Sequence, residues 1–183
     1  MSEPFPFAAR ALVTREAQQS MHEAFSKVTR RGDPTDPKTR RWHEAVEALR
    51  LAVNRAYPDD FRQACQALGR GDTAYLEPLI AFLEADPIFF QSGYAKEWII
   101  RRLKRVALTR RQRDRLQDVV VGVVRTRDCR EFRGYCQLAR QVDGDQLRVN
   151  LSRLRGTIDR DVARRARWVL DELAHADSER RRV

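Results

Sequence analysis

Three successive pairs of amphipathic segments constrain the fold of this chain more than any other feature. They read LEPLIAFLEADP into YAKEWIIRRLKRV, LQDVVVGVVRTRD into REFRGYCQLARQV, and LRVNLSRLRGTID into RDVARRARWVLDEL. Apolar residues recur within them at three- and four-residue steps, the period of one face of an α-helix. Turns at Asp86, Asp128 and Asp159 separate the two members of each pair. The spacing predicts helix pairs that bury their faces by stacking on their neighbours, in units 73–107, 109–142 and 144–175.

The residues before this array predict an N-terminal helical segment, 1–72, that packs on it. Apolar spacing indicates one helix over about Phe7–Arg30, a linker at Gly32–Lys38, a second helix over about Thr39–Tyr57 and a short third helix after Pro58. With only 8 Gly and 7 Pro, the chain has too few turn residues for a loop-rich β protein. The fold class expected is therefore all-α.

Two of these segments resemble the HEAT family of helical repeats. The resemblance rests on LEPLIAFLEADP and on IDRDVARRARWVLDEL, with Asp159 in the turn and Val162, Arg164, Ala166 and Leu170 in the second helix. It covers about residues 73–174. It implies a curved α–α superhelix whose second helices line the concave side. It implies no single function, because the family includes protein scaffolds and also DNA glycosylases that hold a duplex in a basic groove.

The net charge of +10 is unevenly distributed along the chain. Residues 96–167 carry 21 Lys and Arg against 9 Asp and Glu, whereas the rest carries 15 against 17. The densest cluster spans the expected junction of two helices and consists of Arg101, Arg102, Lys104, Arg105, Arg110, Arg111 and Arg113. Like charges this close repel one another, which favours a polyanionic partner. A solvated helical face in an arginine-rich organism explains the same cluster, and both interpretations stay open.

A second candidate contact lies on the last predicted helix. At 100° per residue, Trp168 falls opposite the face formed by Val162, Ala166 and Val169, with Arg164 and Arg165 one turn before it. An exposed tryptophan beside arginines can stack on a base while the guanidinium groups meet phosphates. The alternative is that Trp168 packs under a neighbouring helix or under the basic tail expected at 176–183, which includes Arg180, Arg181 and Arg182.

Nothing in the sequence predicts catalysis, a metal or a cofactor. The three histidines are isolated, and no phosphate-binding loop, dinucleotide-binding or nucleophile motif occurs. Three cysteines without CxxC spacing are read as buried small side chains in a reducing compartment, and no apolar run is long enough to span a membrane. A cytoplasmic protein with no membrane partner is expected. The histidines and cysteines are His22, His43, His175, Cys65, Cys129 and Cys136.

The leading functional hypothesis is a non-catalytic protein that binds DNA or RNA, mainly through the phosphate backbone. The alternative is an interaction scaffold that recognises an acidic protein partner. A third reading is a HEAT-like DNA glycosylase, which would require a carboxylate beside an exposed aromatic residue. No catalytic residue is assigned.

Overall fold

The structure is a computed structural model that describes residues 5–28, 33, 35–127 and 129–180. All regular secondary structure within these ranges is helical, which confirms the all-α prediction. The helices are α1 Phe7–Ser26, α2 Pro37–Arg55, α3 Phe61–Gly69, α4 Glu77–Ala85, α5 Ser92–Leu103, α6 Arg110–Thr126, α7 Phe132–Gln141, α8 Asp145–Arg155 and α9 Arg160–Arg180.

The first of two compact units is built on a hairpin of α1 and α2, with residues 85–92 added to it. Thr14 is fully buried between the two helices, and its hydroxyl lies 2.9 Å from the carbonyl oxygen of Arg10 and 3.3 Å from that of Ala52. Helix α2 begins at Pro37 because Asp36 accepts hydrogen bonds from the backbone N–H groups of Lys38 and Thr39. The hairpin is therefore defined by a polar contact in its seam and by a capped helix start.

The second compact unit holds residues 62–84 and the described residues from 93 onward. Helix α6 is central to it, because α6 packs against α7, α8 and α9. Its buried residues Leu116, Val120 and Val124 follow one another at four-residue steps. Facing helices add their own buried apolar side chains, namely Tyr135, Leu138, Ala139, Leu147, Leu151, Val169 and Leu173. The pattern that predicted amphipathic helices therefore corresponds to a shared apolar core in this unit.

Helix α6 packs against α7, and α8 packs against α9. Two of the predicted Asp turns are described. Asp86 adopts a left-handed backbone conformation (φ 41°), and Asp159 accepts hydrogen bonds from the N–H groups of Asp161 and Val162 at the start of α9. Asp128 lies outside the described residues, as do Arg30 and Gly32.

Two boundaries differ from the sequence-based expectation. Residues 62–72 fall in the second unit, because Ala64, Ala67 and Leu68 are buried and a Cβ on Gly69 would lie 3.9 Å from the Trp98 ring. The tail expected from 176 is wrong as far as Arg180. Helix α9 continues to that residue because Ala176 is buried. Arg181 and Arg182 lie outside the described residues.

Candidate nucleic-acid interface

The predicted basic cluster lies at the junction of α5 and α6. Helix α5 directs Ile99, Ile100 and Leu103 into the core, so the intervening arginines and Lys104 project away from it. Helix α6 then begins with a capping box. The Thr109 hydroxyl accepts from the Gln112 N–H (3.3 Å), and the Gln112 side chain accepts from the Thr109 N–H (3.0 Å). The cations are thus held on two well-defined helix ends.

Four arginines at this junction, Arg105, Arg110, Arg111 and Arg113, form what we call the open corner. All four side chains are exposed, and no described Asp or Glu lies within ion-pair distance of any of them. Arg115, one turn further along α6, behaves differently. Its guanidinium binds Glu77 (2.5 Å) and Glu84 (2.6 Å). Along α6, the arginine side chains therefore change from lacking a described acidic partner at Arg113 to being ion-paired at Arg115.

Beside the open corner is a pocket between α5 and α7 with a volume of about 260 Å³. Helix α7 approaches α5 closely through Gly134, where a Cβ would lie 3.4 Å from Ile100 Cγ2. The pocket presents four cations and two carboxylates. Its lining consists of Glu97, Ile100, Arg101, Lys104, Arg130, Glu131, Arg133, Gly134 and Gln137.

Both carboxylates of this pocket are engaged by arginines. Glu97 binds Arg101 at 2.8 Å. Glu131 is buried and binds Arg127 at 3.4 Å, and one of its carboxylate oxygens packs against Gly93. The pocket therefore remains net cationic.

Lys104 and Arg130 are positioned by neutral side chains. Lys104 Nζ donates a hydrogen bond to Gln137 Oε1 (2.5 Å), and Arg130 Cζ stacks 4.2 Å from the centre of the Tyr94 ring. Partial burial lowers the pKa of Lys104, and the charges of Arg101 and Arg105 lower it further. A bound anion would offset the repulsion that Arg101 and Arg105 exert on Lys104, so these cations together favour negative charge in the pocket.

Arg102 stacks on a tryptophan of its own helix. Its guanidinium carbon lies 3.7 Å from the centre of the Trp98 ring, and both side chains are only partly exposed. This stacking covers the outer face of Trp98. Arg102 consequently has one face occupied by the protein itself.

The three candidate contact residues on α9, Arg164, Arg165 and Trp168, differ in exposure. Trp168 is 44% exposed, with its edge against Phe132 at 5.9 Å between ring centres. Arg164 lies 5.3 Å from the Trp168 ring and 3.0 Å from Asp161. These two side chains form a small exposed surface.

The surface role expected for Arg165 is wrong. Arg165 is only 6% exposed, and it donates hydrogen bonds to the carbonyl oxygens of Val124 (2.8 Å) and Arg125 (3.5 Å) at the end of α6. Its spacing of three from Val162 and four from Val169 places it on the buried face, a signal present in the sequence. Arg165 holds α9 to α6 by satisfying carbonyls that a helix end leaves without partners.

Arg130 and Arg133 are site residues that the sequence reasoning missed. Arg130 lies just before α7 and Arg133 lies in its first turn. Both line the pocket with Lys104. Arg133, Gln137 and Arg140 follow one another at four and three residues, which marks the polar face of α7. That pattern identifies the face but not its proximity to α5.

No metal centre is indicated in the parts of the chain that the structure describes, where no three His, Cys, Asp or Glu residues cluster suitably. Burial raises the pKa of the Cys65 thiol to about 11, which leaves very little reactive thiolate at neutral pH. None of the described helices is both long and apolar enough to cross a membrane.

Comparisons of this chain with protein-family models, with characterised proteins and with solved structures find no match.

Proposed function

We propose that the second unit binds nucleic acid without catalysis, through the phosphate backbone, and that the open corner is its principal contact. The observation that supports this most is the absence of described acidic partners for Arg105, Arg110, Arg111 and Arg113, although neighbouring arginines are neutralised. An exposed, unbalanced group of arginines repels itself in the free protein. Phosphates relieve that repulsion and release their condensed counterions on binding.

The start of α6 adds direction to this attraction. Arg110 and Arg111 occupy the first two positions of the helix, where the positive end of the helix dipole opposes their charges. A phosphate placed there is attracted by the arginines and by the dipole together. The α5–α7 pocket supplies further cations on α5 and α7, and Arg164 with Trp168 offers a stacking contact.

A backbone-directed interface of this kind discriminates little between base sequences, because phosphate contacts carry no base identity. We also propose that the packed pairs α6–α7 and α8–α9 are HEAT-like units. The support for this proposal is the likeness of IDRDVARRARWVLDEL in α9 to the second helix of that family, together with the helix pairing.

The test measures binding of a labelled 20-mer DNA duplex, a single strand and an RNA hairpin at two salt concentrations. The variant changes Arg105, Arg110, Arg111 and Arg113 to Glu in the full chain. We expect the native protein to bind with strong salt dependence. For duplex DNA the slope of log affinity against log salt is roughly −0.9 per phosphate neutralised. The variant should lose binding and most of that slope.

A matched control separates a located interface from general basicity. Arg153, Arg155, Arg160 and Arg167 are also exposed, and the same four changes to Glu alter the net charge identically. We expect this control to weaken binding far less. Equal loss in both variants, or no binding by the native protein at low salt, would overturn the proposal.

Protein recognition, the second candidate function, is favoured by one separate observation. The α1–α2 hairpin exposes apolar side chains that no described residue covers. That surface lies in the first unit and is independent of the open corner.

A further inference from the structure

The α1–α2 hairpin carries an apolar groove along one side, which we call the hairpin groove. It encloses about 320 Å³ and is lined by Arg10, Val13, Ala17, Ala48, Leu51, Ala52 and Arg55. Val13 is 51% exposed and Leu51 is 49% exposed, so much apolar surface on the groove faces solvent. The floor is made of alanines, which leave room for another backbone to approach closely.

The groove follows a helical stripe on each of its two helices. On α1 the groove residues Val13 and Ala17 are followed seven residues later by Ala24, on the same face. On α2 the groove residues Ala48, Leu51 and Arg55 are preceded seven residues earlier by Arg41. Ala24 and Arg41 line a second hollow at the other end of the hairpin. From Arg10 to Lys27 this side extends about 26 Å, at 1.5 Å per helical residue.

Both ends of this side are cationic. Arg10 and Arg55 flank one end, and Lys27, Lys38 and Arg41 line the other. No ion-pair partner for these five side chains lies among the described residues. Glu44, exposed one turn before Ala48, and Asp36, the cap of α2, each add one negative charge near this end, against the three cations Lys27, Lys38 and Arg41.

We infer that the hairpin groove binds an amphipathic helix of another protein, with an apolar stripe and with acidic residues towards both of its ends. Such a helix of about 17 residues matches the length of this side and completes a three-helix bundle with α1 and α2. Its carboxylates meet the basic ends, while its apolar stripe covers Val13 and Leu51.

The charge arrangement favours this occupant over a second copy of the chain. Two copies placed groove to groove bring basic ends against basic ends in either orientation, because both ends carry positive charge. The concave alanine floor also favours a helix over the surface of an anionic membrane. Self-association and vesicle binding are therefore outcomes that the test distinguishes.

The test uses the full chain and two synthetic helical peptides of equal length. One has a Leu and Ala stripe with Glu at both ends, and the other has Lys at the same positions. Fluorescence anisotropy should show the acidic peptide binding at least ~10-fold more tightly than the lysine peptide, which is the factor that an energy of about 1.4 kcal/mol represents. Arg10→Glu combined with Arg55→Glu should reduce or reverse that preference.

Adjacent residues provide the matched apolar control. Leu12 is 49% exposed, like Val13, but lies on the opposite side of α1 from Ala17. Val13→Glu should weaken peptide binding by ~10-fold or more, whereas Leu12→Glu should change it by less than about 2-fold. Circular dichroism checks that both variants retain their helix content, and the charge-swap pair tests the inference even if Val13→Glu does not fold.

Three peptide results would overturn the inference. They are equal binding of the two peptides, binding of neither peptide (with or without binding to anionic vesicles), and equal effects of the two Glu substitutions. A halving of the native mass by Val13→Glu in sedimentation would also overturn it, because it would assign the groove to a second copy.

Discussion

The open corner and the flank where α9 packs on α7 and α8 are both rich in arginine, yet they differ in electrostatic state. On the flank, Arg140 binds Glu172 and Glu179, and Arg148 binds Asp143 (2.6 Å) and Asp177 (2.9 Å). At the open corner, no described acid lies within ion-pair distance of the four arginines, although Asp114 is next to Arg113 in sequence. The two regions show that basic composition and available positive charge are different properties.

The difference arises from acids that lie outside the basic stretch in sequence. Glu77 and Glu84 precede residues 96–167, and Glu172, Asp177 and Glu179 follow them, but all five bind arginines of that stretch. Counting charges along the chain assigns these acids to the wrong region. Only folding shows which arginines they neutralise.

The largest stability effect in this comparison is expected for Arg165, which is the most buried arginine among the described residues. Arg165→Met removes charged hydrogen bonds to the carbonyls of Val124 and Arg125, so the free energy of unfolding should fall by about 2–3 kcal/mol in urea titrations. The adjacent Arg164→Met removes an exposed ion pair with Asp161 and an exposed contact with the Trp168 ring, and should cost about 1 kcal/mol or less. Equal losses of stability in the two variants would contradict the expectation that the buried arginine contributes more than the exposed one.

A smaller loss is expected on the flank. Arg148 binds both oxygens of Asp143 and also Asp177, so Arg148→Met should lower the free energy of unfolding by about 1 kcal/mol. Arg153→Met, on the same helix and without a described acidic partner, is the control and should change little. The difference between the variants should shrink in 1 M salt, where exposed charges are screened. A difference insensitive to salt would contradict the ion-pair account.

At the open corner, removing an arginine should raise the free energy of unfolding instead of lowering it. Arg110→Gln and Arg111→Gln remove cations from the positive end of α6, so each should raise the free energy of unfolding by about 0.3 kcal/mol at low salt. Arg125 is in the last turn of the same helix, where a cation is favourable, so Arg125→Gln should lower stability by a similar amount. Thermal melts of the three variants measure both directions. Destabilisation by all three would mean that the corner arginines make stabilising contacts.

The smallest effect is a pKa change at Lys104. Arg105 helps to lower this pKa, after partial burial and Arg101, so Arg105→Gln should raise it. A higher pKa leaves less neutral amine at a given pH, and acetylation of Lys104 should then require a higher pH. Mass spectrometry of acetylated peptides over a pH series measures this shift. Arg153→Gln should leave the profile of Lys104 unchanged, and an identical profile in Arg105→Gln would show that the two cations do not interact.

Local periodicity predicted most of the helices, and it also extends past the boundary expected at 175. Ala176 lies three residues after Leu173 and seven after Val169, so it continues the same apolar stripe, and it is buried. The ion pair between Asp177 and Arg148 of α8 is different, because a pattern within one helix cannot report a contact with another helix.

The candidate site was predictable where exposure follows from helix phase. The phase of α5 placed Arg101 on its polar side, and that of α9 placed Trp168 opposite the apolar face, whereas Lys104 and Arg105 lie in the turn after α5. Arg130 and Arg133 depend on the approach of α7 to α5 through Gly134, a tertiary contact. Whether an arginine has an acidic partner depends on acids that are distant in sequence, so this too could be seen only in the folded structure.

The capping box of Thr109 and Gln112 has a kinetic consequence for the open corner. Because two side chains of the protein itself fix the start of α6, that turn needs no ligand to become ordered. On the proposed function, a polyanion would meet arginines on a preformed frame, and we expect its association to be limited by electrostatically guided encounter rather than by folding. Mutating Thr109 would then slow capture by making order a step of the encounter.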